Sequence, residues 1–399
     1  MDKTVKFLQL PGISFMFVQN EGMSDYLNII DFLEPINTSI LSDDAGYRDG
    51  QIGKIITAYE ESFPDLETAH IVFIGCAEQR GAGLRTTSEA ADEIRKAFYQ
   101  LYYWHKDVNI ADVGNVKVGN SLADSYAALK LVVRELISIG KFVVVLGGSH
   151  DLTLAQYGAF VDDKKTMDVA TVDAIVDINI DSPHRSDNFV MELLTGEPNF
   201  LNHYNHLAFQ SYFIHPRMLE TMDKLRFDCF RVGAVKENLE DMEPVIRNCH
   251  LLSFDISAIA AAFAPSNTIS PNGLNGEEAC TLMQYAGMSP NMQTVGIYGY
   301  QPENDRESLT AKQISHMLWY LIDGHSKGNR EVAITERDSF NEFHTAFAEV
   351  DTVFLQSKKT GRWWMQLPGG EFIACSQKDY TLASNNDIPE RWLRAQERP

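Results

Sequence analysis

Apolar residues in this chain fall into short unbroken runs, and from about residue 70 each run is followed by a stretch with helical spacing. HIVFIGCAE, from His70 to Glu78, is the first firm strand. After the loop RGAGLRTTS, the segment AADEIRKAFYQLYYWH carries apolar residues at helical intervals. Ser88 is its expected N-cap, with Asp92 and Glu93 in the early turns. Asn109–Val116 reads as a strand, and SLADSYAALKLVVRELISIG as an amphipathic helix that feeds the strand KFVVVLGG. The same order recurs through DVATVDAIVDINID, MLETMDKLRFDCFRVG and NCHLLSFDIS. A loop rich in turn formers, APSNTISPNGLNGEE, leads to a helix from about Glu277, a strand over Thr294–Pro302 and a further amphipathic helix ending at Gly324. Apolar strands alternating with helices predict a mainly parallel sheet covered on both faces, an α/β chain built as a three-layer α/β/α sandwich. In such sheets ligands bind beyond the carboxyl ends of the strands.

The flanks read differently. Residues 1–67 form an irregular lead-in broken by Gly, Asp and Pro, residues 68–326 the α/β domain, and residues 327–399 a C-terminal appendage packed on the core. In the appendage, Lys359, Thr360 and Gly361 suggest a hairpin turn between apolar-rich stretches. The adjacent Trp363 and Trp364 are expected as packing anchors. The segment would cover a sheet edge or mediate self-association.

Composition narrows the partners. The 399 residues are 44% hydrophobic, enough for a sizeable core. With 34 basic against 55 acidic residues the formal charge is −21, which argues against nucleic acid and anionic membrane surfaces, since both demand clustered Lys and Arg. The N-terminal residues carry no apolar run of signal or membrane length. Five scattered cysteines without a CxxC spacing point to a reduced, cytoplasmic setting.

Three motifs carry the chemistry: VVVLGGSHD (Val143–Asp151), AIVDINID (Ala174–Asp181) and LLSFDIS (Leu251–Ser257). Each follows an apolar run, so each places Asp or His at a strand end, and divalent cations need several oxygen or imidazole ligands converging on one point. Asp177, Asn179 and Asp181 stand at i, i+2 and i+4, which on an extended strand points all three to one face. Carboxylates brought together raise one another's pKa unless a metal, a proton or a basic side chain compensates, and the residues alone leave those three open.

The three motifs resemble those of the ureohydrolases (arginase, agmatinase and formimidoylglutamase), which read roughly GGDHS, DxHxD and SFDxDxxDP and hold two Mn²⁺ ions. The resemblance implies the arginase-like fold and assigns ligands residue by residue. His150 stands at the family's first His, with Ser149 and Asp151 exchanged around it; Asp177, Asp181 and Asp255 match carboxylate ligands. One metal site is thereby complete as His150, Asp177, Asp181 and Asp255. The second would need the positions held by Asn179 and Ser257 and has lost an imidazole and a carboxylate. One Mn²⁺ is expected, or none. Arg80 and Gly81 fall in a loop that would overlie the site mouth.

The family also carries a Glu before an Asn-Pro on the strand matching TVGIYGYQP. Gly299 occupies that place here, with Glu303 nearby in sequence. Without that carboxylate a guanidinium loses a bidentate partner, so arginine and agmatine are disfavoured against a formimidoyl compound on an acidic carrier. His184, His203, His206 and His215 are available for proton transfer. The resemblance thus implies a formimidoylglutamase-like hydrolase of linear amidine C–N bonds with one Mn site, acting on a small amidine or formimidoyl compound, with the homo-oligomeric assembly common in the family. The lost second site supports the alternative, a non-catalytic binding or scaffolding protein on the same fold.

Overall fold

The computed structural model describes residues 7–10, 13–16, 25–37, 41–42 and 46–397. Its strands, in chain order, begin with a hairpin of β1 (Phe7–Leu10) and β2 (Ile13–Met16), followed by the short β3 (Leu33–Glu34) and β4 (Thr57–Ala58). The central strands are β5 (Ile71–Cys76), β6 (Ile110–Val116), β7 (Phe142–Leu146), β8 (Met167–Val172), β9 (Leu201–Phe209), β10 (Asp228–Arg231), β11 (Leu251–Asp255) and β12 (Thr294–Tyr298). The chain closes with β13 (Phe340–Phe347), β14 (Val350–Ser357), β15 (Trp363–Gln366) and β16 (Phe372–Cys375).

Ten strands form one sheet in the order β10-β9-β8-β11-β12-β7-β5-β6-β3, with β4 also paired to β6. Every pair from β10 across to β6 is parallel, and only β3 runs antiparallel at its edge. Val143 and Val145 pack on one face while Val144 packs on the other, the period of two that a strand buried on both sides requires. Ile94 and Phe98 of the helix Ala90–Phe98, Leu282 of Gly276–Met288 and Leu318 of Leu309–Gly328 cover the Val144 face. Leu129 and Val133 of Leu122–Ser138 and Phe160 of Thr153–Asp162 cover the other. This is the three-layer α/β/α sandwich with a mainly parallel sheet.

Boundaries moved where tertiary contacts competed with periodicity. The helix from Ala90 stops at Phe98 instead of running on to His105, because Ile52 and Gly53 donate their amides to the carbonyls of Leu101 and Tyr99. Its N-cap is Glu89, while the Ser88 hydroxyl accepts the Ala90 amide at 3.2 Å. The last core helix continues past Gly324 to Gly328, held by Ser326 donating to Asp107 at 2.7 Å. Leu122–Ser138 starts with a reciprocal capping box between Ser121 and Asp124.

Residues beyond 339 build an antiparallel four-stranded sheet, β13-β14-β15-β16, followed by the helices Gln377–Ser384 and Glu390–Glu397. The turn over Lys358–Thr360 joins β14 to β15. Trp363 stacks on Tyr380 and Phe343, and Trp364 lies under the Arg247 guanidinium at 4.5 Å, so both are packing anchors. Among the described residues the five cysteines form no disulfide, and no helix is long and apolar enough to cross a membrane.

One buried ion pair fastens helix to sheet. The fully buried Arg95 donates Nε and Nη2 to the two Asp112 carboxylate oxygens, each at 2.9 Å, and Nη1 to Asp92 and Asn115. Tyr99 donates to the same Asp112 at 2.8 Å. Arg95→Met leaves Asp112 buried without its counter-charge, a change that costs about 3–5 kcal/mol. Urea unfolding of the variant should show a lower midpoint with an unchanged slope; an unchanged midpoint would contradict this account.

Candidate metal centre

β8, β11, β12 and β7 are consecutive neighbours in the middle of the sheet, and the site is built where they end. After β7 the chain turns through Gly147 and Gly148, both at positive φ. A Cβ on Gly148 would lie 2.6 Å from the Glu78 carbonyl, so only glycine allows this close return of the backbone. The turn delivers His150, whose side chain is 5% exposed and lies against Phe189 and Tyr298. β8 stops at Val172 because Asp173 Oδ1 accepts the Ile175 amide at 3.0 Å and bends the chain out of the ladder. β11 ends on Asp255, whose Oδ1 accepts the Ser257 amide at 2.8 Å.

Three carboxylates converge on one imidazole nitrogen. His150 Nδ1 lies 2.9 Å from Asp173 Oδ2, 3.4 Å from Asp177 Oδ2 and 3.6 Å from Asp255 Oδ2. One ligand atom from each of His150, Asp173 and Asp255 falls within 4.8 Å of the others, the geometry of a cation site. Nδ1 is buried and forms no well-directed hydrogen bond to any of them. On the opposite side of the ring, Nε2 contacts Ser253 Oγ at 2.9 Å, which contacts Thr153 Oγ1 at 2.6 Å, and Thr153 donates to the His150 carbonyl. This chain fixes the ring plane.

The electrostatics follow from crowding. Burial would depress the His150 pKa, but pairing with Asp173 and Asp177 outweighs it and holds the imidazole up at about 10. Burial and the charge on Asp173 push Asp255 up to about 6 and raise Asp177 as well, against the partial relief given by His150. Asp173, despite its burial, is lowered by its contact with His150. Without another cation, the protonated imidazole supplies the positive charge.

The structure brings together His150, Asp177 and Asp255 and replaces the fourth expected ligand. Asp181 is exposed, in a turn where its amide donates to Asn179 Oδ1 at 3.2 Å. Its place is taken by Asp173. The pairs Asp173/Asp177 and Asp177/Asp181 share the same i, i+4 spacing, and β8 ends before all of them, so the expectation that Asp177, Asn179 and Asp181 share one strand face does not apply. The missed signal was position: Asp173 follows its apolar strand directly, as Asp255 does. Counting D-x-H-x-D from Asp173 puts Ile175, not Asn179, where the imidazole would stand. Ser257 keeps its place; its hydroxyl donates to Asp173 Oδ1 at 2.5 Å and brings no charge.

The remaining candidates divide sharply. Asp151 turns away from the cluster toward Tyr126 and the Arg80–Ala82 turn, and burial raises its pKa to about 7. Arg80 is committed to Glu78 and to the carbonyls of Gly119 and Asn120. Gly299 lies beside the cluster at φ +77°, and a Cβ there would stand 2.4 Å from Asp255 Oδ2, so no longer side chain fits. Glu303 is exposed in a short turn past the strand. Of the histidines, only His206 adjoins the centre: it is buried between the Tyr204 hydroxyl and the Asp173 carbonyl, and burial lowers its pKa to about 4. His184 is exposed beside Gly83, His215 is exposed at a helix start, and His203 faces Asp228 near the other end of β9.

The profile of the Arginase family matches residues 69–323. The chain belongs to the arginase family. Among relatives, a formimidoylglutamase of Staphylococcus aureus (strain JH9) is 24% identical over 268 residues, covering 62% of this chain and 84% of that protein. A solved formimidoylglutamase of Bacillus subtilis superposes with a TM-score of 0.60 at 17% identity, covering 75% of this chain and 98% of that one. Trypanosoma cruzi formiminoglutamase, solved with Mn²⁺, gives 0.61 at 17% identity, covering 70% and 99%. The agmatine ureohydrolase of Thermoplasma volcanium gives 0.56 at 18%, covering 72% and 98%. At such identities the solved structures speak for the fold.

The crowded carboxylates set a pH dependence. Folded Asp255, at about 6, keeps a proton that an unfolded Asp (about 3.9) has released, so metal-free stability falls as pH rises from about 4 through 6. His150 acts in the same direction: its contribution is full below the unfolded value of about 6.5 and is lost as pH rises through about 10. A divalent cation held by His150, Asp173, Asp177 and Asp255 would replace those protons. Mn²⁺ should therefore raise the melting temperature more at pH 8 than at pH 5; equal shifts at both would show that the cation binds elsewhere.

Proposed function

We propose that this arginase-family chain is a formimidoylglutamase-like hydrolase of linear amidine C–N bonds, working with one divalent ion held by His150, Asp173, Asp177 and Asp255. The convergence of three carboxylates on the buried Nδ1 of His150 carries the proposal. The donor set fits one hard or borderline cation, and the Mn²⁺ in the Trypanosoma cruzi relative favours manganese. Such an ion would supply Lewis acidity, polarising a substrate group or lowering the pKa of water toward neutrality. The protein's own part is orientation. Ser253 and Thr153 hold the His150 ring so that Nδ1 faces the carboxylates, and Ser257 holds Asp173 through its hydroxyl.

A second ion finds a poor site, since Ile175 has no donor atom on its side chain and Ser257 is neutral. Gly299 denies a guanidinium its carboxylate partner, which favours a formimidoyl compound over arginine or agmatine. The same Ile175 and Ser257 favour the second reading, a non-catalytic member of the family.

Metal analysis by mass spectrometry separates the readings. After soaking in Mn²⁺, one ion per chain is expected, lost in Asp173→Ala and retained in Asp181→Ala. The double variant Ile175→His/Ser257→Asp should take up a second ion. With one ion bound, N-formimidoyl-L-glutamate should release formamide, at a rate reduced at least a hundredfold in Asp255→Asn. No metal after soaking would end the hydrolase reading and leave the non-catalytic one; metal without turnover would remove the substrate assignment.

A further inference from the structure

Of the strands that end the two large sheets, β13 alone is long. β3, β10 and β16 have two to four residues, and Asp228 of β10 is held by Arg394. β13 has eight residues, pairs with β14 residue for residue without a bulge, and contains no Pro, Gly or Lys. It therefore lacks the usual devices that keep an open edge from pairing with another chain. We propose that this edge pairs with the same edge of a second copy of the chain, antiparallel about a twofold axis at Phe343, so that the two C-terminal sheets join into one. β13 lies beyond residues 69–323, the part that the arginase-family profile matches, so the interface belongs to the added unit.

The hydrogen-bond phase of the β13–β14 hairpin shows which backbone groups are available. The Lys358 amide donates to the Ser339 carbonyl at 3.0 Å, in the register that continues with Phe340 opposite Ser357 and Asn341 opposite Gln356. Directly bonded pairs alternate along an antiparallel ladder, so Asn341, Phe343, Thr345 and Phe347 turn their amides and carbonyls toward β14. Phe340, Glu342, His344 and Ala346 turn theirs outward, where no strand lies among the described residues. Glu342, His344 and Ala346 are exposed, and the Phe340 side chain packs on Trp364.

Charge chooses the register. Outward residues must stand opposite outward residues, so with most of the strand engaged the axis passes through Glu342, Phe343 or His344. An axis at Glu342 sets two carboxylates face to face, which is destabilising. An axis at His344 opposes two imidazoles and leaves Phe340 against the turn residue Ala348, at φ +48°. The axis at Phe343 places Glu342 opposite His344 of the partner subunit, twice, and Phe340 opposite Ala346 of the partner subunit. Each carboxylate then meets an imidazole that can donate to it, and every outward residue is bonded, with about eight backbone hydrogen bonds in all. Within one chain the two side chains already share a face, His344 Nε2 lying 3.9 Å from Glu342 Oε2. Pairing closes them into a four-membered network.

Analytical ultracentrifugation of the full chain tests this. An even-numbered assembly is expected, with a dimer as its smallest unit. His344→Glu, which sets carboxylates opposite one another, should weaken self-association at least tenfold, and the charge exchange Glu342→Lys/His344→Glu should restore it. Ala346→Pro, which removes an outward amide and no bond to β14, should weaken it as well. Asn341→Cys/Thr345→Cys should give a covalent dimer on a non-reducing gel after mild oxidation, because these positions face each other across the axis and are too far apart within one strand to bridge. Circular dichroism checks that the variants fold, and rescue by the charge exchange excludes a folding defect as the cause. A monomer, an assembly that His344→Glu and Ala346→Pro leave intact, or a His344→Glu defect that the charge exchange does not repair would overturn the proposal.

Discussion

The repulsion among Asp173, Asp177 and Asp255 is the constraint on which the centre of this molecule depends. Their side chains are largely buried and all face one imidazole nitrogen, so the site is stable only with positive charge among them. A protonated His150 provides that charge in the metal-free chain, at the cost of holding its own proton far above the usual range. A divalent cation would do the same with more charge and let the imidazole act as a neutral ligand. Were such a cation bound, its affinity and the fold's stability would be linked through the same four side chains.

Everything around the cluster serves to bring it together. The central strands β8, β11, β12 and β7 are parallel and adjacent, so their carboxyl ends meet within a few ångströms although the residues are a hundred positions apart in sequence. The glycine turn after β7 and the side-chain-capped ends of β8 and β11 aim the ligands inward. The Arg95–Asp112 pair at β6 and the apolar layers on both faces hold the sheet against which these turns are registered.

The C-terminal unit is anchored by chemistry of another kind. Arg247 and Arg362, both nearly buried, share Glu243 between the core and the added sheet, and Arg247 lies on Trp364. Planar guanidinium groups that stack and fork suit such a junction better than a lysine would. The two helices beyond that sheet reach back to the edge strand β10 and its neighbour β9, at the amino-terminal ends of the strands and away from the His150 cluster.

The sequence by itself determined the alternation of strands and helices, the parallel sheet, the His150 and Asp255 strand ends and the neutral Ser257 that follows Asp255. These are local properties: apolar period, strand-end residues and the identity of a side chain at a motif position. It could not determine the register of the middle motif. DAIVDINID holds two aspartate pairs with the same spacing, and both read equally well after an apolar run. Only the tertiary structure decided, because the choice rests on where β8 leaves its ladder with β9 and β11, and on which carboxylates can then reach the ring of His150 from across the sheet.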